Sequence, residues 1–242
     1  NNDLHEADWN KARSCWNTVV NIDHNNLEAR EKLLDFIYQA AEAGNNRLWK
    51  SVNESTTEML DVLKETGKEP DASLLTKHAK SLLLIAERGE TTNREELLAE
   101  SRDVLDKLIE THPENEDLYL LRAQSDILQG KIDTESGIRN AEKDALDKAI
   151  GWLETGIEQT DNKATAIANL LTFKLQTSSK DPNSIEELRA EFKTRTEDIE
   201  PSDKLLVCNS LLYEAAGKMA PEAELNHAIE AIRQAYELAP EN

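Results

Sequence analysis

Residues 227–242 read HAIEAIRQAYELAPEN, and this stretch decides the fold. Ala228, Ile232 and Ala235 fall at offsets of 0, 4 and 7, and Pro240 falls at 12. The first three offsets set side chains on one stripe of an α-helix, and the proline stops that helix. The same spacing holds at Ser101, Leu105, Leu108 and Pro113, and both copies close on Pro-Glu-Asn, at 113–115 and 240–242. Looser copies run through Ala12, Trp16, Val19 and His24; Ala149, Leu153, Gly156 and Asp161; and Leu188, Phe192, Arg195 and Glu200. The faintest is Ser55, Met59, Val62 and Gly67. A helical unit that recurs along a chain implies a solenoid, in which each unit buries its apolar face against the next. Exit positions 24, 67, 113, 161, 200 and 240 are separated by 43, 46, 48, 39 and 40 residues, so the unit is long and irregular.

Composition agrees with that reading. The chain has 242 residues, 38% of them hydrophobic, with a mean hydropathy of −0.65. A solenoid exposes more surface than a globule and tolerates that polarity. There are only 8 Gly and 6 Pro, which fall mostly between helical patterns. No run alternates apolar and polar residues as a half-buried strand does, so the expected class is all-α.

The breaks divide the chain into eleven predicted helices. The first spans 4–22. Pairs follow at 26–43 with 46–66, 71–88 with 92–111, 115–130 with 134–160, 163–178 with 182–199, and 202–217 with 221–238. Gly44-Asn45-Asn46 and Gly67 through Pro70 are turn sequences, and Gly89 followed by Thr91-Thr92-Asn93 supplies a helix stop and an N-cap cluster. His112-Pro113 ends one helix, because the residue before proline avoids the α region. Asp181-Pro182 opens another, with Ser184 and Glu187 at capping-box spacing, and Ala220-Pro221-Glu222 opens the last.

Net charge is −20, from 28 basic and 48 acidic residues, and the acidity is spread along the chain. A nucleic-acid binder needs a basic stripe to neutralise phosphates, and an anionic membrane would repel this surface. Neither nucleic acid nor membrane is therefore an expected partner. The acidity reads as a solubilising surface or as a surface for a basic partner. Cys15 and Cys208 lie far apart in apolar helical contexts and read as small core residues in a reducing, cytoplasmic compartment. Asn53-Glu54-Ser55 is a glycosylation sequon on a predicted helix, a chance match.

These segments resemble tetratricopeptide repeats. The second helix of that repeat carries a small residue, a large apolar one, an alanine and a proline at the offsets found here. Residues 227–242 match it almost letter for letter. Tyr119 falls on the aromatic position of a first helix, Ala123 on its small position, and Gly130 on its turn glycine. Tyr213 and Gly217 fall on the corresponding positions before the final helix. After Asp161, Leu170 fits the leucine position, while Leu171 stands where glycine or alanine is usual. Residues 101–242 carry the resemblance well and 1–100 loosely. It implies a single right-handed superhelix of antiparallel helix pairs over 1–242. Residues 4–22 read as a second helix with no first helix before it, and 221–238 as one with no polar cap after it. Both point to a piece of a longer repeat protein.

The resemblance also implies a function. First helices of the family line a concave groove that holds an extended peptide or a partner helix. By that rule the protein-binding residues here are Glu31, Asp35, Tyr38, Asp117, Gln124, Thr172 and Lys204. Further lining falls at Glu28, Leu120, Ile127, Thr165, Ala168, Leu175, Val207, Leu211 and Glu214. The family variant that clamps a C-terminal carboxylate uses Lys and Asn on this lining. This chain offers only Lys204 and the off-lining Asn169, so that role is not expected.

No residue pattern points to catalysis, a cofactor or a metal. The five histidines never pair at three or four residues. His5 beside Glu6 and Asp8 lacks a second imidazole or thiolate. His24 and His112 sit at helix exits, and His78 sits on an apolar helix. Phosphate-binding and dinucleotide glycine loops and the Gly-x-Ser-x-Gly elbow are missing from the sequence. Glu95-Glu96 and Glu186-Glu187 read as first-turn acids that offset helix dipoles. Trp9, Trp16, Trp49 and Trp152 read as core, with Trp152 also a candidate partner-facing aromatic. The expected function is a non-catalytic scaffold that binds a protein or peptide, basic or helix-forming. The alternative is a repeat segment of a multidomain enzyme or of a secretion or assembly protein whose active part lies outside these residues.

Overall fold

The computed structural model describes residues 2–89, 93–178, 181–220 and 224–240, with side chains from Lys11 onward. Their backbone forms eleven α-helices and one short 3-10 turn, with no strand among the described residues. The helices are α1 Asn2–Ile22, α2 Leu27–Glu42, α3 Trp49–Glu65, α4 Ala72–Arg88, α5 Arg94–Thr111 and α6 Glu116–Glu135. They continue as α7 Ala141–Gln159, α8 Lys163–Thr177, α9 Pro182–Thr196, α10 Asp203–Met219 and α11 Leu225–Leu238. His5, Trp9, Thr91, Thr92, Pro221 and Glu222, to which the sequence assigns roles, lie outside the described side chains.

Local chemistry sets most boundaries. Asn26, Asp71, Asn115, Asn162, Asp181 and Ser202 each accept a first-turn backbone N–H and so cap α2, α4, α6, α8, α9 and α10. Gly67 and Gly89 stop α3 and α4 in the left-handed region, with φ of 66° and 67°. Pro182 occupies the first turn of α9, so Ser184 lies inside the helix and Asp181 is its cap. The Glu186-Glu187 pair accordingly lies beyond the first turn of α9, while Glu95 and Glu96 do sit in the first turn of α5.

The chain divides into two compact units, Asn1–Leu108 and Ile109–Asn242. Within each, successive helices pack antiparallel. In the first unit Thr56 Oγ1 meets His78 Nδ1 at 2.9 Å, and Ser81 Oγ donates to Asn53 Oδ1 at 3.2 Å. Ser101 Oγ donates to the Ala79 carbonyl at 2.8 Å, which seats α5 on α4. The buried His78 therefore bridges three helices, reaching Glu100 at 3.4 Å on its other nitrogen. Helices one unit apart run in the same direction and are tied by polar contacts. Lys77 pairs with Asp35 across 42 residues, Arg195 with Glu154 across 41, and Asn162 with Glu116 across 46. Those steps match the spacing of the sequence repeat. The expected all-α repeat of antiparallel helix pairs is present in both units.

The stripes of α5 and α7 are buried, those of α1, α3 and α9 include half-buried members such as Trp16, Ser55 and Phe192, and the stripe of α11 departs furthest. Ser101 and Leu105 are 0% exposed, Leu108 and Leu153 are 2%, and Ala149 is 0%. Ile232, the large member of the best copy, is 44% exposed, because no described helix packs on the far side of α11. Cys208 is buried, but Cys15 lies on the exposed face of α1 and is not a core residue.

Two glycines read as turns are nothing of the kind. Gly130 lies inside α6, which runs on to Glu135, and the actual turn uses Gly137 at φ 88° and Asn140 at φ 62°. A Cβ on Gly130 would stand 2.5 Å from Ala145 Cβ and 2.9 Å from the Ala141 carbonyl. Gly217 lies inside α10, where a Cβ would meet the Ala228 carbonyl at 2.9 Å. These glycines let the backbones of paired helices approach closely. Gly156 does the same for a ring: Tyr119 carbons lie 3.0 Å from its missing Cβ, and the Tyr119 hydroxyl donates to the Pro113 carbonyl at 3.0 Å. Burial, followed by the charge of Glu114, pushes the Tyr119 phenol up.

Candidate binding face

The even-numbered helices carry every residue expected in the groove. In the first unit Glu31, Asp35 and Tyr38 lie on α2 beside α4. Asp35 is bound by Lys77 Nζ at 2.7 Å, and Glu42 by Lys80 Nζ at 2.8 Å. Both ammonium groups also lie over the Tyr38 ring, at 5.5 and 5.9 Å from its centroid. Lys80 is 5.8 Å from the Trp49 ring, which Tyr38 meets edge-on at 5.6 Å. This is a compact cation–π and ion-pair cluster in which lysines offset the acids of α2. Glu31 is exposed and lines a cavity of about 200 Å³ with Lys77, Leu27, Leu34 and Met59.

In the second unit α6 and α10 each pack on α8 and approach one another at their first turns, where Lys204 Nζ lies 3.8 Å from Asp117 Oδ1. The face is therefore recessed at α8. Thr165 and Ala168, expected on the lining, are buried at 6% and 3% exposure because both neighbours close over them. Asp117, Gln124 and Lys204 are exposed, and Thr172 is half-buried. Burial pushes the Cys208 thiol up, and the Thr172 side chain facing it across α8 and α10 offsets part of the rise. Val207, at 38% exposed, and the half-buried Leu211 add apolar surface beside Lys204. Asn169 buries its amide nitrogen without a hydrogen-bond partner.

Trp152 faces inward. Its Nε1 donates to Asp126 at 3.0 Å, and the Arg122 guanidinium lies 5.0 Å above its ring while pairing with Asp126 at 2.7 Å. Trp49 is buried at 4%, and Trp16 is half-buried against the core of the first unit. Among the described residues no group of three or more His, Cys, Asp and Glu side chains is placed to hold a metal ion. No described helix is long and apolar enough to cross a membrane.

Lys77 and Lys80 are the residues that sequence reasoning missed. Residues 70–112 matched the repeat pattern poorly, so no lining was assigned there. The signal was present: Lys77 lies one repeat step beyond Asp35.

No protein-family model and no curated protein matches the chain in sequence. Solved structures do resemble it. One is YrrB, described as a tetratricopeptide repeat protein with an unusual peptide-binding site: 12% identity, TM-score 0.41, covering 94% of this chain and 93% of that one. A monomeric IFIT1 mutant with Gppp-AAAA gives 14% identity and a TM-score of 0.43, covering 96% of this chain and 55% of that one. The human IFIT1 dimer with PPP-AAAA gives 13% and 0.35, covering 96% and 69%.

Proposed function

We propose that this chain is a non-catalytic scaffold in which α6, α8 and α10 of the second unit hold a segment of a partner protein. One observation carries the reading. Asp117, Gln124, Lys204 and Val207 are solvent-exposed on two helices that flank the recessed α8, so polar anchors and apolar surface converge on one face. Glu31, Asp35 and Tyr38 give the first unit a face of the same mixed kind. Mixed character of this sort suits recognition of a peptide or helix, whereas a purely solvated stripe carries like charges throughout. The net charge of −20 favours a basic segment, speeds its association at low salt and disfavours nucleic acid.

The test is affinity capture of a partner, followed by binding to a Gln124→Arg, Lys204→Glu double variant that keeps the wild-type melting curve. Loss of about tenfold or more in affinity supports the assignment. Unchanged binding places the interaction elsewhere. A gel shift with RNA at physiological salt would contradict the charge argument.

A further inference from the structure

The cavity of about 200 Å³ in the first unit lies between the start of α2, the start of α4 and the connection that joins α3 to α4. Its floor is apolar and includes the buried Leu34, Met59 and Leu74. Three exposed carboxylates, Glu31, Glu69 and Asp71, stand around it. Asp71 uses Oδ1 to accept the Leu74 N–H at 2.7 Å. Among the described residues, Glu31 and Glu69 enter no hydrogen bond or ion pair. Lys77 also lines the cavity, but its ammonium is held by Asp35 at 2.7 Å. The rim therefore carries acid that nothing on the lining offsets, above a floor that water solvates poorly.

We propose that this cavity is a binding site for one arginine side chain, carried on a segment of a partner protein. Charge and shape select that occupant together. An apolar floor under an acidic rim matches a side chain with an apolar stem and a cationic tip. A purely apolar side chain would desolvate the carboxylates and return nothing. A metal ion is disfavoured by placement: no three of the described His, Cys, Asp and Glu side chains are set to hold one, so the rim carboxylates are spread apart. A planar guanidinium presents five N–H donors and reaches two separated carboxylates at once, whereas the ammonium of lysine is a point charge. Free arginine would bring its own carboxylate to an acidic rim, and an arginine inside a peptide does not. The cavity shares no residue with the α6, α8 and α10 face, so either site can fail without the other.

The chain has two methionines, Met59 on the cavity floor and Met219 at the end of α10, so methyl-labelled methionine gives one reporter and one internal control. The probe is the blocked pentapeptide acetyl-GARAG-amide, titrated against the whole chain and followed by methyl NMR. Matched peptides carry citrulline, whose urea is neutral, or lysine in place of the arginine, and free L-arginine is titrated separately. The variant is Glu31→Gln with Glu69→Gln, two exposed positions, and thermal melting checks that it folds. A saturable shift of the Met59 methyl with the arginine peptide supports the proposal, provided that it weakens by about tenfold or more in the variant and falls as salt rises. No saturable Met59 shift, or one that citrulline or the double variant leaves unchanged, overturns it. An equal response to the lysine peptide or to free L-arginine overturns the choice of occupant.

Discussion

α7 and α11 carry one stripe in one register, yet Leu153 is 2% exposed and Ile232 is 44%. Both helices place Ala, a large residue and a small residue at offsets of 0, 4 and 7. What differs is the neighbour. α7 lies between α6 and α8, whereas α11 packs on α10 alone among the described residues. Spacing in sequence therefore reports that a helix is able to pack. It does not report whether anything is packed there.

The comparison breaks most visibly under truncation. Leu153→Ala should cost about 2–5 kcal/mol, because it opens a cavity in a sealed core. Ile232→Ala should cost about 1 kcal/mol, because much of that side chain is already in water. Urea denaturation midpoints measure both, and equal losses would show that α11 is covered after all. Leu105→Ala, at a position with 0% exposure, should behave like Leu153→Ala.

Glycines sharpen the same contrast. Gly130→Ala forces a methyl group to within 2.5 Å of Ala145 Cβ and should cost about 1–3 kcal/mol. Gly151→Ala meets nothing within 4 Å on exposed α7 surface and should gain about 0.5–1 kcal/mol through helix propensity. Opposite signs in thermal melts are expected. A stabilising Gly130→Ala would show that α6 and α7 are not in close backbone contact.

A smaller effect concerns acid. Burial pushes the Glu191 carboxyl up, but hydrogen bonds and charge from Lys174 and Arg195 outweigh it and leave the carboxyl below the ordinary 4.5. A carboxyl depressed in the folded state stabilises fully above its unfolded value, and that stability disappears as pH falls through the folded value. Glu191→Gln should therefore reduce stability at neutral pH and make the loss below about pH 4.5 shallower. A variant with an unchanged acid limb would show that the Glu154–Lys174–Glu191–Arg195 network contributes nothing. Smallest of all, Cys15 should react with a thiol reagent in the native chain, and Cys208, buried with a raised pKa, should wait for unfolding.

The helices were legible because their ends obey local chemistry. Gly67 and Gly89 supply left-handed stops, and Asn115 and Asp181 supply caps, none of which depends on distant residues. Gly130 and Gly217 were misread for the opposite reason. Their role is set by a partner helix, and a glycine needed for close approach looks like a turn glycine until that partner is in place. The candidate face divides in the same way. Helix periodicity puts Gln124 and Lys204 on a surface, but cannot say that α6 and α10 close over Thr165 and Ala168. Nor does it show that Thr172 is half-buried, or that Asp35 already has Lys77.

Partner binding is assigned to α6, α8 and α10 of the second unit. A photo-crosslinking residue placed at Gln124 on α6, or at exposed Lys148 on α7, tests it most directly with a partner recovered by the wild-type chain. Adducts from position 124 and none from position 148 are expected. Adducts from position 148 alone would contradict the account and move binding to the odd-numbered helices.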